Sequence, residues 1–411
     1  MSVLAFLQAD FSSVPTLIAV ALIIIIGYIA KAIFGRTKIP EVLILIAIGL
    51  LLVPVGHLLP SNYVNSLRSL TSIFGDLALV VIMYNGGKVI GVNRALFKST
   101  RGVLLGFLDT LLPTVGVSVL MWALFQWPII YGAILGAILG ETSTVIVAPL
   151  LKKIKITADM YSTLLIETTL NSVFSILFFT LLVSFVSGQT LTVGSFASFT
   201  VDYISIAIAF GLIMGFVWIV VQNYIKGARG YLATIAMAIL LYGIVDLFKG
   251  AAAVSVLIFA IMLSNYKPIA NFMRFKMDAK KNEIGERNAV ERDIEFLITT
   301  FFFVFIGMIA IISVQSFIYA IAVTGLLVVI RYVEVKYVLD DNGVYEDLGF
   351  ALMQRGTVVA ILAAILFSYG GTYANQIFYI CFMIIILTNI IASVLLSRVK
   401  VKVMVTPQQH A

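Results

Sequence analysis

The sequence predicts an all-α integral membrane protein with about thirteen transmembrane helices. Its 411 residues are 61% hydrophobic and 11% charged, and the mean hydropathy of +1.10 lies far above that of a soluble domain. Runs such as LIAVALIIIIGYIA are apolar on every side and lack the period-2 alternation of barrel strands, so helices are expected. About 20 apolar residues cross a bilayer as a helix. Stretches of that length fill nearly the whole chain, which leaves no room for a large soluble domain.

The predicted spans form one transmembrane domain over residues 1–398, and a short tail follows at 399–411. In chain order the spans are 14–34, 39–56, 69–87, 102–125, 128–151, 159–187, 196–225, 230–248, 250–266, 294–312, 315–335, 347–370 and 374–397.

Basic residues are distributed unevenly between the two ends of these spans. Of the 27 basic residues, 24 fall on one side of the predicted membrane, and Arg331 is assigned to that side. Only Arg68 and Lys249 fall on the other side, while Arg355 lies inside a span. By the positive-inside rule, the N-terminus is predicted outside and the C-terminus in the cytoplasm. We expect the protein in the plasma membrane, in contact with its lipid. The net charge of +7 therefore does not predict a nucleic-acid partner.

Polar clusters interrupt two of the spans at similar depth. In span 5, Gly132, Gly136 and Gly140 recur every four residues, a pattern that permits close helix contact. The residues that follow them are Glu141, Thr142, Ser143 and Thr144, and span 12 carries Gln354, Arg355, Gly356 and Thr357. Glycines beside polar residues in the middle of two spans predict a pair of discontinuous crossing helices, as in transporters built on inverted repeats. Spans 4–6 and 11–13 would be the two repeats, in opposite orientation.

Charged side chains inside these spans are costly in a bilayer and are therefore the first functional candidates. Span 6 places Glu167 and Asn171 four residues apart on one helix face, with Thr168 beside them. Because Arg355 is the only basic residue predicted at that depth, we expect a structural ion pair between Glu167 and Arg355. Glu141 then remains as the one unbalanced carboxylate. Alternatively, Glu141 and Arg355 neutralise the dipole ends of the broken helices and take no direct part in transport.

The charge count suggests an exchange mechanism. Two acids and one base leave one negative charge, which either a cation or a proton can neutralise, but not both at once. Hydroxyl and amide oxygens are hard ligands, suited to Na⁺, K⁺ or Li⁺. The predicted cation and proton ligands are Glu141, Thr142, Ser143, Asn171 and Ser172, with Thr144, Thr168 and Asp109 as secondary candidates. Transported ions are expected, and a cofactor is not.

Other polar residues are weaker candidates. Asp76, Asp202 and Asp246 lie in spans 3, 7 and 8, and Asp109 ranks above them because span 4 belongs to the first repeat. The chain has two histidines, both outside the spans, and no HExxH, P-loop or dinucleotide motif. We therefore expect no catalytic residues and no enzyme.

Six segments, in order, resemble motifs of the monovalent cation/proton antiporter superfamily, of the sodium/proton exchanger type. KIPEVLILIAIGLLL and LALVVIMYNGGKV are similar to its second-helix entry and third-helix end, and GETSTVIVAPLLKK is similar to its broken fifth helix. IETTLNS resembles the sixth-helix Glu-x-x-x-Asn-Asp, FFFVFIGM the tenth helix, and RGTVVAILA the Arg-Gly motif of the twelfth.

This resemblance implies a secondary active transporter that exchanges a monovalent cation for protons by alternating access. A core of spans 102–187 and 315–397 would move against a dimerisation or scaffold domain of spans 14–87 and 196–312 in a homodimer. The resemblance also implies the pairing of Glu167 with Arg355, and an ion site that includes Thr142, Ser143 and Asn171.

The chain departs from the family pattern at the residues that carry the ion and the proton. The family's ion-binding aspartate of the sixth helix falls on Ser172, and the acid of the fifth helix falls on Ser143. Three explanations stay open: Glu141 has taken over the carboxylate role, the chain no longer exchanges protons in the family manner, or position 172 carries an engineered substitution. The alternative function is accordingly a cation uniporter, a channel-like pathway or a transport-inactive member.

Overall fold

The computed structural model describes residues 21, 24, 25, 27–29, 41–52, 61–92, 99–151, 154, 156–186, 193–224, 230–266, 289–311, 313–339 and 344–399. Only part of the predicted first span at 14–34 falls within these ranges. The charged connection at 267–288 and the tail from residue 400 onward lie outside the described residues.

Fourteen α-helices account for most of the described chain. They are α1 (Glu41–Leu50), α2 (Ser61–Val92), α3 (Thr100–Phe125), α4 (Ile129–Leu139), α5 (Thr144–Leu151), α6 (Ala158–Val186), α7 (Val193–Tyr224), α8 (Tyr231–Leu247), α9 (Ala252–Ser264), α10 (Ala289–Ile309), α11 (Val314–Leu339), α12 (Val344–Ala351), α13 (Thr357–Tyr369) and α14 (Thr372–Arg398). Each predicted span from the second to the thirteenth overlaps one helix or a consecutive pair of helices, and some helices, such as α2, extend beyond the predicted bounds. The all-helical prediction is confirmed.

Length and composition make five of these helices able to cross a membrane: α3, α6, the Phe196–Gln222 part of α7, α11 and α14. They are apolar around most of their circumference, as expected of helices in lipid. Local signals set their ends. The Ser99 side chain accepts a hydrogen bond from the Gly102 N–H at 3.2 Å and caps the start of α3, and Gln126, in the left-handed conformation at φ 58°, ends it.

The two predicted interruptions are present. Four residues, 140–143, separate α4 from α5, and five residues, 352–356, separate α12 from α13. The two breaks contact each other, because the backbone N–H of Ser143 donates a hydrogen bond to the carbonyl of Gln354 at 2.9 Å. Unwound backbone is tolerated at membrane depth when it is buried in protein or lines a cavity. The inverted-repeat relationship between the two halves stays a prediction.

The glycine face of α4 makes the close helix contact that its spacing permits, and the structure shows that the partner is α3. A Cβ added at Gly132 would lie 2.8 Å from the Cα of Ser118, and one at Gly140 would lie 2.7 Å from the Cα of Thr110. Only glycine permits this approach of the two backbones. The contact places the break after α4 directly beside Asp109 and Thr110.

Helix packing brings the two breaks into the interior. Helix α3 packs against α4, α6 and α11, and α14 packs against α11 and α13. Elsewhere α9 packs between α2 and α7, α10 packs on α1, and α13 also contacts α2 and α10. The division into a moving core and a dimerisation scaffold stays a prediction, as does the homodimer.

Candidate ion-binding site

Asp109, predicted only as a secondary candidate, lies at the centre of the buried polar cluster. Its carboxylate oxygen Oδ2 accepts hydrogen bonds from Thr142 Oγ1 at 2.8 Å and from Asn171 Nδ2 at 2.9 Å. All three side chains are fully buried. Two of the predicted cation ligands, Thr142 and Asn171, therefore donate hydrogen bonds to a carboxylate that the sequence ranked only as a secondary candidate.

Arg355 binds the break after α4 rather than Glu167. Its Nη1 donates to the carbonyl oxygen of Glu141 at 2.7 Å and to Thr142 Oγ1 at 3.3 Å, and its Nη2 lies 3.6 Å from Asp109 Oδ1. The carbonyl of Arg355 accepts a hydrogen bond from Asn389 Nδ2 at 2.9 Å, which fixes the break after α12 to α14. The predicted Glu167–Arg355 ion pair is therefore wrong.

Arg331 is the actual partner of Glu167. Its Nη1 pairs with Glu167 Oε1 and lies 3.9 Å from Asp109 Oδ2, while Nε and Nη2 donate to the carbonyl of Gly349 at 3.0 and 2.8 Å. One guanidinium therefore links α11 to α6, α3 and α12. A planar fork of donors suits Arg to such a multiple contact in the interior.

The prediction failed because Arg331 was assigned to the cytoplasmic end of span 11. The structure extends α11 to Leu339, and Arg331 lies on the same buried helix face as Val335 and Leu339. Arg355 is accordingly not the only base at this depth. The count of basic residues on the predicted cytoplasmic side falls from 24 to 23 once Arg331 is moved inside.

Glu334 was missed by the sequence analysis. It lies one helical turn after Arg331, its side chain is 1% exposed, and neither carboxylate oxygen has a hydrogen-bond partner among the described residues. Glu334 lies inside the predicted span 315–335 and three residues after Arg331, so a helical period would have placed the two side chains on neighbouring positions of one helix face.

The corrected cluster contains more acids than bases, as predicted, and the excess is one when Glu334 is left out of the count. The three carboxylates of Asp109, Glu141 and Glu167 face the two guanidiniums of Arg331 and Arg355, which leaves one negative charge. The prediction counted two acids and one base and reached the same excess. Glu334, whose carboxylate accepts no hydrogen bond from the described residues, is a fourth buried acid and raises the excess to two when it is ionised.

Glu141 lies where the two breaks meet. Its Oε2 accepts a hydrogen bond at 3.3 Å from the backbone N–H of Gly356, the residue that precedes α13. A carboxylate is favoured at the N-terminal end of a helix, and a base is favoured at a C-terminal end, where Arg355 binds the backbone after α4. The geometry fits the interpretation that this acid and this base neutralise the dipole ends of the broken helices.

A cavity of about 100 Å³ lies beside Glu141. Its lining divides by helix into two walls. The break after α4 and the helices α5, α6 and α13 contribute Glu141, Ser143, Thr144, Thr169, Ser172, Val173, Thr357 and Val358, and α2 and α10 contribute Val81, Ile82, Asn85, Gly86, Glu295, Ile298 and Thr299. Thr144 and Ser172 both donate their hydroxyl hydrogens to the carbonyl of Thr168, at 2.8 and 3.0 Å. Thr168 itself therefore contributes its backbone, while its hydroxyl donates to the carbonyl of Leu165.

The predicted site residues consequently separate into two groups. Glu141, Ser143, Thr144 and Ser172 line the cavity, whereas Thr142, Asn171 and Asp109 lie behind it in the buried charge cluster. The remaining acidic candidates are elsewhere: Asp76 accepts a hydrogen bond from the Tyr242 hydroxyl at 2.9 Å, and Asp202 and Asp246 are exposed. In the part of the chain that is described, no group of three or more His, Cys, Asp or Glu side chains could hold a metal ion.

Two interrupted helices that meet at a buried acid–base cluster, beside an acid-lined cavity, define the chain as a membrane protein of the secondary-transporter class. Residues 18–402 match the profile of the family described as "Sodium/hydrogen exchanger, transmembrane". Because this match covers nearly the whole sequence, the chain belongs to the sodium/hydrogen exchanger family. The resemblance stated from the sequence motifs is confirmed.

Solved structures of one family of transporters share the fold. The chain is similar to the sodium proton antiporter MjNhaP1 from Methanocaldococcus jannaschii at pH 8, with a TM-score of 0.74 and 18% sequence identity, covering 93% of this chain and 97% of that one. A three-dimensional electron-microscopy map of the same antiporter gives a TM-score of 0.72 at 19% identity, with 94% and 97% covered. At this identity the similarity establishes the fold.

Proposed function

We propose that this protein exchanges a monovalent cation for protons across the plasma membrane by alternating access. Family membership supports the transport of a cation and protons, and MjNhaP1, whose fold this chain shares, is a sodium proton antiporter. The single observation that carries the proposal is the position of Glu141, a buried carboxylate that lines the cavity together with Ser143 and Ser172. We further propose a homodimer with the N-terminus outside and the C-terminus in the cytoplasm.

Glu141 replaces the missing sixth-helix aspartate in this proposal. Ser172 carries a hydroxyl, which does not ionise near neutral pH, so the proton must be carried by another group on the cavity wall. Glu141 supplies that group from the break of the fifth span. A cation and a proton then compete for one negative charge, and this competition couples the two fluxes in opposite directions.

The hydroxyl groups near Glu141 are suited to bind the cation. Because Thr144 and Ser172 donate their hydrogens to the carbonyl of Thr168, their oxygen lone pairs remain available to a cation in the cavity. Ser143 contributes a third hydroxyl to the same wall. Such hard oxygen ligands favour Na⁺, K⁺ or Li⁺.

The charge cluster behind the cavity has a supporting role in this proposal. Asp109 holds Thr142 of the break and Asn171 of α6 through hydrogen bonds to one carboxylate oxygen. Arg355 holds the backbone at Glu141. These contacts orient the carboxylate of Glu141, so Thr142, Asn171 and Arg355 act as positioning residues rather than direct cation ligands.

Reconstituted vesicles test the proposed function directly. Vesicles that contain the protein should dissipate an imposed pH gradient when Na⁺, K⁺ or Li⁺ is added, and protein-free vesicles should not. Absence of a response to all three cations, with the gradient imposed in either direction, would contradict exchange. An electrogenic cation flux that does not depend on pH would instead favour the uniporter or channel-like alternative, which gains no support from the family match.

A further inference from the structure

We infer that the cation is bound across the cavity, so that Thr299 of α10 and Asn85 of α2 supply oxygen ligands opposite Glu141. This inference deepens the proposed exchange function and rests on it. It adds two ligands from helices outside the predicted core to a site that the sequence placed on spans 4–6.

The lining of the cavity has the chemistry of a cation site. Its charged side chains are Glu141 on one wall and Glu295 on the other, and the lining contains no basic residue. A carboxylate such as Glu141 in a mostly apolar space attracts cations to it. The remaining polar lining consists of hydroxyl and amide groups, whose oxygens are ligands for a hard monovalent cation.

Thr299 presents a polar atom that the protein itself does not satisfy. Its side chain is 8% exposed, it lines the cavity, and its Oγ1 has no hydrogen-bond partner among the described residues. The Oδ1 atom of Asn85 is buried in the same wall and also lacks a partner there. A buried polar atom without a partner destabilises the fold, so such atoms persist where water or an ion satisfies them.

The size of the cavity fits this ligand. A volume of about 100 Å³ has room for an alkali cation together with part of its water shell, since a cavity of about 10–15 Å³ on this measure already holds one water. A partly hydrated ion can reach both walls, directly or through one water.

The division of the ligands between two sets of helices has a mechanistic consequence. Glu141 and Ser172 belong to the predicted core, whereas Asn85 and Thr299 belong to the predicted scaffold. Displacement of the core against the scaffold separates the two walls and removes two oxygen ligands from the ion. The cation is therefore held most tightly when the walls are apposed, and the transport movement itself promotes its release.

The test compares Thr299→Val with Thr300→Val. In both variants a methyl group replaces a buried hydroxyl group that has no hydrogen-bond partner among the described residues. The two positions differ because Thr299 lines the cavity, whereas Thr300 faces Gly27 and does not. Two quantities are measured for each variant: the KM for Na⁺, K⁺ or Li⁺ in the vesicle assay, and the cation concentration that half-maximally raises the thermal midpoint of the detergent-solubilised protein. Loss of one ligand should raise both values about fivefold in Thr299→Val. Thr300→Val should match the wild type.

Unchanged values in Thr299→Val, or equal changes in both variants, would overturn the inference while leaving exchange by the wild type intact. A different outcome separates the two proposals: the wild type shows no exchange, but the cation raises its thermal midpoint. If the cation concentration needed for this effect then increases in Thr299→Val alone, the proposed function is refuted and the site is supported. A wild type that neither transports nor is stabilised would refute both.

Discussion

The guanidinium of Arg331 pairs with the carboxylate of Glu167 and donates two hydrogen bonds to the carbonyl of Gly349. Through these contacts one side chain of α11 fastens α6, which lines the cavity, to the short helix α12 that precedes the second break. Both charged groups are almost completely buried. A buried pair of this kind is costly to break, because each partner leaves an uncompensated charge in the interior.

Removal of Arg331 should therefore destabilise the protein. Arg331→Met is expected to cost about 3–5 kcal/mol, since it leaves the Glu167 carboxylate unpaired. Thermal unfolding in detergent measures the effect, and Lys336→Gln, on the exposed face of the same helix, should change stability by less than about 0.5 kcal/mol. The double variant Arg331→Met/Glu167→Met should recover much of the loss. A double variant that is as unstable as the sum of its single variants would argue against the pairing.

The two buried glutamates near Arg331 should respond differently to neutral substitution. Glu167→Gln removes the charge that Arg331 neutralises, so it should lower the thermal midpoint. Glu334→Gln removes a carboxylate that accepts no hydrogen bond in the described structure, so it should leave the midpoint unchanged or raise it. Equal destabilisation by both substitutions would show that Glu334 has a partner of comparable strength.

Glycine packing between α3 and α4 gives a stability prediction with internal controls. Gly140→Ala places a Cβ 2.7 Å from the Cα of Thr110, so the helices must separate at a cost of about 1–3 kcal/mol. Gly325 and Gly243 lie in helices with no atom within 4 Å of an added Cβ. Gly325→Ala and Gly243→Ala should be neutral or stabilising by up to about 1 kcal/mol. Thermal midpoints of the three variants decide the comparison, and a stable Gly140→Ala would contradict the close contact.

Glu141 should be indispensable for exchange and dispensable for folding. Glu141→Gln keeps the size of the side chain and an acceptor for the Gly356 N–H, but it cannot exchange a proton for a cation. We expect loss of cation-driven proton flux with an unchanged thermal midpoint. Asp202→Asn, which alters an exposed acid in α7, should retain full flux. Normal exchange by Glu141→Gln would exclude the relocated carboxylate.

Ser172→Asp tests whether the native chain is active as it stands. The substitution adds a second acid to a cavity wall that already carries Glu141, so it should lower the KM for Na⁺ and change the pH dependence of a flux that the wild type already shows. The vesicle assay on both proteins provides the comparison. Flux in the variant alone would mean that the native chain has lost the exchange activity of its family.

The sequence predicted helix type and position well because lipid imposes a simple rule. Backbone polar groups in the bilayer must be satisfied within the helix, so apolar length alone locates the spans. The breaks in spans 5 and 12 were also predictable, because glycine and clustered polar residues interrupt an otherwise apolar pattern. The spacing of Gly132 and Gly140 also predicted a close helix contact, although not that α3 is the partner.

The partners within the charge cluster were not predictable in this way. Pairing depends on which faces of helices distant in the sequence are brought together, and a single sequence contains no information on that rotation and depth. Arg331 looked like a residue of a cytoplasmic helix end, and Asp109 looked marginal, until packing of α3 against α11 and the first break brought them together.

By itself, then, the sequence determined a helical membrane protein with two broken spans and buried carboxylates, since burial in lipid acts on each residue individually. Tertiary structure alone decided that Glu167 binds Arg331, that Asp109 holds Thr142 and Asn171, and that Glu141 faces a cavity. The physical reason is range: an ion pair or a hydrogen bond forms only between atoms a few ångströms apart, and that distance is set by the packing of the whole bundle.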